Sequence, residues 1–371
     1  MKKIAAARII IFFLISVSIL SGIIFTPKQT VSYDENRYLA EFPKLNFDTY
    51  KNSEFSKGFE DWVSDHFVFR KQFIVIRNNI EKLIGRKEIG GVYTAGDMMI
   101  SLFRADSAVA DKNAQYINSF CKNADNVYCL IAPTAQEIYK DKLPGYLNIT
   151  SESEYISSFY SKLNNVKTVD IIPELESESD GYLYYRTDHH WTTNGAFVAY
   201  NKLAEVMGLN KFDKNDFDVE TVSDSFEGTL YSKTLDESVT PDSIILYKYK
   251  NGEELTLESE NGVSDFYKYD KLDEKDKYLF FGGENKGIET VRSSVKNGRR
   301  LLLIKDSYAN SLIPFLMLNY EEITLLDLRY ATASVMKSID KSSCGEILFL
   351  YNCDGFSTET SLSKLMIASA S

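Results

Sequence analysis

The chain has 371 residues, with 42 Lys+Arg against 53 Asp+Glu and a formal net charge of −11. That length holds one large domain or two ordinary ones, and 44% hydrophobic with 26% charged residues excludes a disordered or fibrous chain. The acidic balance, with no long Lys/Arg run, argues against a nucleic-acid partner. Four cysteines exclude a disulfide-dense scaffold, and three histidines leave His-dependent chemistry to His66, His189 and His190.

Lys2, Lys3 and Arg8 precede 17 uncharged residues, 9–25. As a helix this stretch spans about 26 Å at ~1.5 Å per residue, close to the hydrocarbon thickness of a bilayer. The flanking charges predict an N-in orientation, which places everything from about Thr26 outside the cytoplasm. No A-x-A site follows, and Leu20-Ser21-Gly22 is followed by Ile23 where a lipoprotein box has Cys. A membrane anchor over residues 1–26 is therefore favoured over a cleaved signal segment, which would leave the protein secreted. The expected localisation is the cell membrane with the remaining chain outside. There Cys121, Cys129, Cys344 and Cys353 meet conditions that permit disulfides, although Cys129 lies in a run, 127–132, that reads as a buried strand. Their pairing stays open.

Residues 27–89 form a helical extension. Phe55, Phe59, Trp62, Val63 and Phe67 recur at helical spacing, and Phe73, Ile76, Ile80 and Leu83 do so again. His66, beside Asp65 and Arg70, reads as a structural histidine of this stretch. From Gly90 short apolar runs (127–132, 166–171, 300–304, 322–328 and 346–351) alternate with helical stretches. This predicts an α/β domain over 90–371, with a parallel sheet of buried strands flanked by helices. Residues 210–298 are richer in charge, Tyr and short β-like runs (244–249, 254–257), and are expected to be an insertion forming a small antiparallel lobe.

The densest chemical signal is Arg186-Thr-Asp-His-His-Trp-Thr-Thr-Asn194. Phe197, Tyr200, Ala204 and Met207 then share one helical face, Gly208 is a stop, and Thr192 or Thr193 can cap the start. Asp188 to Trp191 fall in the turn before that helix. Residues i and i+2 of an extended turn point to one side, so Asp188 can orient His190 and stabilise its protonated form, as a base paired with a weak nucleophile requires. The matching nucleophile is Ser307 in Leu301-Leu-Leu-Ile-Lys-Asp-Ser-Tyr-Ala-Asn310, where a strand meets a tight turn. Pro314 places the start of the next helix near Ser311. Asp-His-His can also ligate a metal, but no second His-bearing ligand cluster accompanies it, so neither metal nor cofactor is expected.

Asp188-His-His-Trp191 together with Lys305-Asp-Ser-Tyr-Ala-Asn310 resembles the DHHW family of bacterial anchored proteins. That family is related to the alginate O-acetyltransferases of the AlgJ and AlgX type, within the SGNH-hydrolase superfamily. Asp34-Glu-Asn-Arg37 with Phe42-Pro43, Asp65-His-Phe-Val-Phe-Arg70, Ala132-Pro133 with Ile138-Tyr139 and Leu143-Pro144, and Leu326-Asp-Leu-Arg-Tyr330 fit the same pattern. The resemblance implies an SGNH-like α/β fold and a triad of Ser307 as nucleophile, His190 as base and Asp188 as orienter. It also implies an extracytoplasmic O-acetyltransferase of a cell-surface polysaccharide or glycan, supplied by a membrane-bound O-acyltransferase. An acetyl esterase and a non-catalytic polysaccharide-assembly module are the alternatives. Arg329 resembles an arginine that the family places near the site, to hold a substrate carboxylate or the oxyanion. His189, Trp191, Tyr308 and Asn310 are further candidates for substrate or oxyanion contacts. Two departures stand out: Lys305 replaces the glycine that opens a Gly-Asp-Ser motif, and the only oxyanion-block candidates are Gly282, Gly283 and Asn285.

Overall fold

Along the strand Arg300–Lys305, Leu301 and Leu303 enter one hydrophobic cluster while Leu302 and Ile304 enter another. The strands Glu346–Asn352 and Val127–Ala132 alternate in the same way, with Leu348 and Leu130 on the first side and Phe349 and Cys129 on the second. Strands apolar on both faces must be covered on both. The helix Thr193–Met207 covers one face through Phe197, Tyr200 and Leu203. On the other side the helices Ser107–Phe120 and Leu365–Ser369 pack through Ile117, Phe120, Leu365 and Ala368.

These strands are the centre of an eight-stranded sheet in a computed structural model that describes residues 28–105, 107–340 and 344–369, with Arg8, Ile10, Phe12, Phe13, Leu14, Val17, Ser21 and Gly22 from the N-terminal segment. Its order is Gly262–Asp265, Thr256–Ser259, Ile288–Arg292, Glu322–Leu326, Arg300–Lys305, Glu346–Asn352, Val127–Ala132, Lys167–Thr168. The last five run parallel and the first three pair antiparallel. The fold is thus mixed α/β, with a large, mostly parallel sheet between helices. The 210–298 segment does not form one separate lobe. Phe217–Phe226 and Asp242–Tyr249 make their own antiparallel pair, whereas Thr256–Ser259, Gly262–Asp265 and Ile288–Arg292 extend the main sheet. Leu257 and Val291 are the reason, since they enter the same core as Leu301 and Ile323.

The chain divides into two units, Met1–Gly90 with Tyr231–Ser238, and Gly91–Leu230 with Val239–Ser371. In the first, the helices Glu54–Asp65 and Arg70–Leu83 are separated by Phe69 at φ 62°. Arg37 pairs with Asp65 at 2.6 Å, and Arg70 pairs with Glu35 at 2.9 Å. The His66 ring nitrogens face the Trp62 and Gln29 carbonyls at 2.9 and 3.2 Å, so this histidine serves local structure. The anchor expected over residues 1–26 lies largely outside the described residues, among which no helix is long and apolar enough to cross a membrane. None of the four cysteines is joined in a disulfide among the described residues.

Candidate functional site

In a parallel sheet the loops that leave the carboxyl ends of the strands share one edge. Arg300–Lys305 reaches that edge at Asp306, and a short 3-10 turn, Ser307–Ser311, follows before the helix Ile313–Met317. Asp306 builds the elbow. One of its carboxylate oxygens accepts the Tyr308 N–H at 2.8 Å, and the other accepts the Asn352 backbone N–H at 2.8 Å and the Asn352 amide at 2.5 Å. Ser307 emerges from this turn half-buried.

His190 comes from the turn before Thr193–Met207. The Tyr184–Trp191 bridge and the bond from Thr192 N–H to Leu183 O close that turn. Thr192 caps the helix by accepting from Gly195 N–H, and Gly208 ends it in the left-handed region at φ 65°. Asp242, at the start of a strand of the 210–298 segment, accepts the Arg186 and Thr187 N–H groups at 2.7 and 2.8 Å. The turn is therefore pinned from outside as well as closed on itself.

The two pieces bring Asp188, His190 and Ser307 together. His190 Nδ1 lies 2.6 Å from Asp188 Oδ1, and His190 Nε2 lies 2.9 Å from Ser307 Oγ. A carboxylate only accepts, so Nδ1 carries the hydrogen and the Nε2 lone pair accepts from the Ser307 hydroxyl. Asp188 also accepts the His190 N–H at 3.0 Å, and its Oδ2 accepts the Thr229 N–H and hydroxyl at 2.8 and 3.0 Å. The Thr229 proton is spent on Asp188, so His189 Nδ1, 2.8 Å from Thr229 Oγ1, must donate to it. Thr229 is reached only because residue 228 is glycine. A Cβ there would fall 2.2 Å from Asp188 Cβ and 2.4 Å from Asp188 Oδ2.

Burial pushes the His190 pKa down to about 4, assisted by the His189 charge and opposed by Asp188. Burial also resists ionisation of Asp188, but the charges and hydrogen bonds of His189 and His190 outweigh it and hold that carboxyl well below the usual range. At neutral pH the resting pair is a carboxylate beside a neutral imidazole. Asp276, half-buried, is pushed up to about 6 by desolvation and by repulsion from Asp188. The Asp188, His189 and His190 ligand atoms cluster within 4.8 Å. With Nδ1 on Asp188 and Nε2 on Ser307, however, the His190 nitrogens are committed to a hydrogen-bonded relay.

The remaining candidates separate into different roles. Trp191 and Tyr308, expected among substrate contacts, are fully buried instead, both at 0% exposure. Trp191 donates its indole N–H to Tyr308 O at 2.9 Å, and the Tyr308 hydroxyl donates to His189 O at 2.5 Å. Asn310 is buried with its carboxamide oxygen held by Lys305 Nζ at 2.6 Å. Gly282 and Gly283 spend their N–H groups on the Phe266 and Leu279 carbonyls, while the Asn285 oxygen accepts Lys305 Nζ at 2.5 Å. Arg329 is exposed and closes a two-point pair with Asp327 at 2.9 and 2.6 Å, so only its charge reaches His190. His189 stays partly exposed, with its ring 3.8 Å from His190. Sequence reasoning missed Gly228, Thr229, Asp242 and Tyr278. Only Gly228-Thr229, a small residue before a hydroxyl, carries a local signal.

The family profile described as DHHW protein matches residues 84–326, more than half of the chain. A crystal structure of a DHHW family protein from Eubacterium siraeum is similar, with 26% identity, a TM-score of 0.63, and 75% of this chain and 97% of that one covered. Bacillus cereus PatB1 is similar at 19% identity and a TM-score of 0.62, covering 73% of this chain and 98% of that one, and it has also been solved with a sulfonyl adduct. The O-acetyltransferase domain of Pseudomonas putida AlgJ matches at 16% identity and a TM-score of 0.46, covering 76% of this chain and 99% of that one. No curated protein matches the sequence. The profile covers the turn that spells Asp188-His189-His190-Trp191 and the serine elbow alike, and the chain belongs to the DHHW family.

Proposed function

We propose that this protein transfers an acyl group, acetyl in the simplest case, to hydroxyls of a cell-surface polysaccharide or glycan through an acyl-Ser307 intermediate. The relay from Asp188 through His190 to Ser307, at 2.6 and 2.9 Å, is the observation that carries this reading. Ser307 Oγ attacks the acyl carbonyl carbon while its proton passes to His190 Nε2, and Asp188 stabilises the imidazolium. The leaving group departs with that proton. An acceptor hydroxyl then attacks acyl-Ser307 and gives its proton to His190, which returns it to Ser307 as the acylated acceptor leaves. A positioned base of this kind contributes roughly 10²–10⁴-fold.

The apolar stretch 9–25 after Lys2, Lys3 and Arg8 supports a site held outside the cytoplasm at the membrane. A membrane-bound O-acyltransferase would deliver the acetyl group there. Exposed Arg329 supplies positive charge for an anionic acceptor, and the partly exposed His189 ring supplies its Nε2 for a hydroxyl.

The test is acyl transfer from p-nitrophenyl acetate to an oligosaccharide, together with mass mapping of a sulfonyl fluoride adduct. The adduct is expected on Ser307, and Ser307→Ala should lose at least about 10³-fold in rate. Acetylated oligosaccharide identifies a transferase, whereas free acetate alone identifies an esterase. No adduct and no difference in Ser307→Ala would overturn both readings and leave the non-catalytic module.

A further inference from the structure

Tyr278 belongs to the helical turn Lys277–Phe280 and is buried at 3% exposure. Its ring stacks on the His190 imidazole with centroids 3.8 Å apart and planes 12° apart. Its hydroxyl donates to the Ser307 carbonyl at 3.0 Å and lies 3.2 Å from Ser311 Oγ. One side chain therefore touches the base by its face and the backbone of the nucleophile by its hydroxyl. Tyr185 at 6.2 Å and Phe281 at 5.6 Å pack around the ring and fix its plane.

The resting imidazole is neutral, and it becomes a cation when the Ser307 proton passes to Nε2 as Oγ bonds to the acyl carbon. That charge arises in a buried place where water cannot solvate it. An aromatic face attracts a cation, most strongly where both are desolvated. The attraction is weak before proton transfer and strong after it, so it acts on the transition state rather than on substrate binding. The hydroxyl tether separately fixes where Ser307 stands relative to the ring.

We infer that Tyr278 is a positioning residue for acyl transfer, whose ring face stabilises the His190 imidazolium and whose hydroxyl sets the register of Ser307. This rests on the Ser307–His190 reading above.

The experiment measures Ser307-dependent cleavage of p-nitrophenyl acetate by the full chain. The variants are Tyr278→Phe, Tyr278→Leu, and phenylalanine analogues of rising ring fluorination at position 278. Fluorine drains negative charge from the ring face with little change of shape, so a merely structural ring would not respond to it. Tyr278→Phe is expected to lose roughly 3-fold in kcat and Tyr278→Leu roughly 10–100-fold, with KM little changed. Within the fluorinated series kcat should fall steadily as fluorines are added. A flat fluorination series, or a folded Tyr278→Leu with wild-type kcat, overturns the inference. If Tyr278→Leu fails to fold, the nearly isosteric fluorinated series decides alone. A wild-type chain without Ser307-dependent turnover would overturn the parent reading instead.

Discussion

Trp191 donates its indole N–H to the carbonyl of Tyr308 at 2.9 Å, which fastens the histidine turn to the serine elbow one residue beyond each reacting side chain. The two pieces come from positions 117 residues apart. Side chains that react across 2.9 Å tolerate little slippage, so a buried bond next to them serves alignment as well as stability.

Trp191→Phe tests this fastening. The phenyl ring keeps much of the volume but loses the donor at the Tyr308 carbonyl. Leaving a buried acceptor unsatisfied costs about 1–3 kcal/mol. Urea unfolding should show that loss, and kcat for ester cleavage should fall by roughly 10-fold or more through misalignment. A variant destabilised as expected but with unchanged kcat would show that the bond serves stability alone.

Gly228→Ala addresses Asp188 from the other side. The added methyl would stand 2.2 Å from Asp188 Cβ, a separation that real Cβ atoms do not adopt, and the group that would have to yield is a short, buried side chain. The Asp188 carboxylate must move and lose its Thr229 bonds. Activity is expected to drop by about 10²–10⁴-fold, approaching Asp188→Ala. Wild-type activity in a folded Gly228→Ala would show that Asp188 does not orient the base.

The local part of this site was open to sequence reasoning. Asp188 and His190 are two residues apart, and alternation along a turn is enough to put them side by side. Helix Thr193–Met207 was legible because its cap, apolar face and glycine stop follow one another. Ser307 was legible because an apolar run ends in Asp-Ser. Thr229 was not: its bond to Asp188 spans 41 residues, and no periodicity encodes such a pairing. Tyr278 is one tyrosine among many in a Tyr-rich segment, and nothing next to it in sequence marks it out. The antiparallel half of the sheet was missed for a related reason. Leu257 and Val291 look the same in a small lobe as at the edge of a large sheet, and only the core beside Leu301 decides between them.

The His190 shift makes a prediction with a definite sign. The base works as neutral imidazole, so kcat/KM for ester cleavage should lose its acid limb near pH 4 and not near the ordinary 6.5. The folded pKa is depressed, so as pH falls the unfolded chain binds this proton first. Stability is then lost between about 6.5 and about 4, by roughly 3 kcal/mol for a shift of this size. Glu152, pushed up to about 8 by burial, works in the opposite sense above its ordinary 4.5. The difference between wild type and His190→Gln across pH 7 to 4 reports the histidine together with the Asp188 carboxyl paired to it. Parallel unfolding curves for the two proteins would show that His190 titrates normally.

Lys305, the residue that replaces the motif glycine, carries the last prediction. Its ammonium is buried and donates to the carboxamide oxygens of Asn285 and Asn310 at 2.5 and 2.6 Å. Burial pushes its pKa down to about 8 from an ordinary 10.5, against the attraction of Asp327 and Asp306. With the folded value depressed, the unfolded chain holds more protons between about 8 and 10.5, so this group adds stability as pH rises through that window. Lys305→Met removes the buried charge and leaves two acceptors without their donor, at about 1–3 kcal/mol for each buried group left unpaired. At pH 7 the variant should be less stable than wild type, and the gap should widen from pH 8 to 9.5, below the range where tyrosines ionise. Unfolding curves at those three pH values decide it. A gap that stays level or narrows over that range would mean that Lys305 is held as the ammonium by Asp306 and Asp327 and that burial does not dominate its charge state.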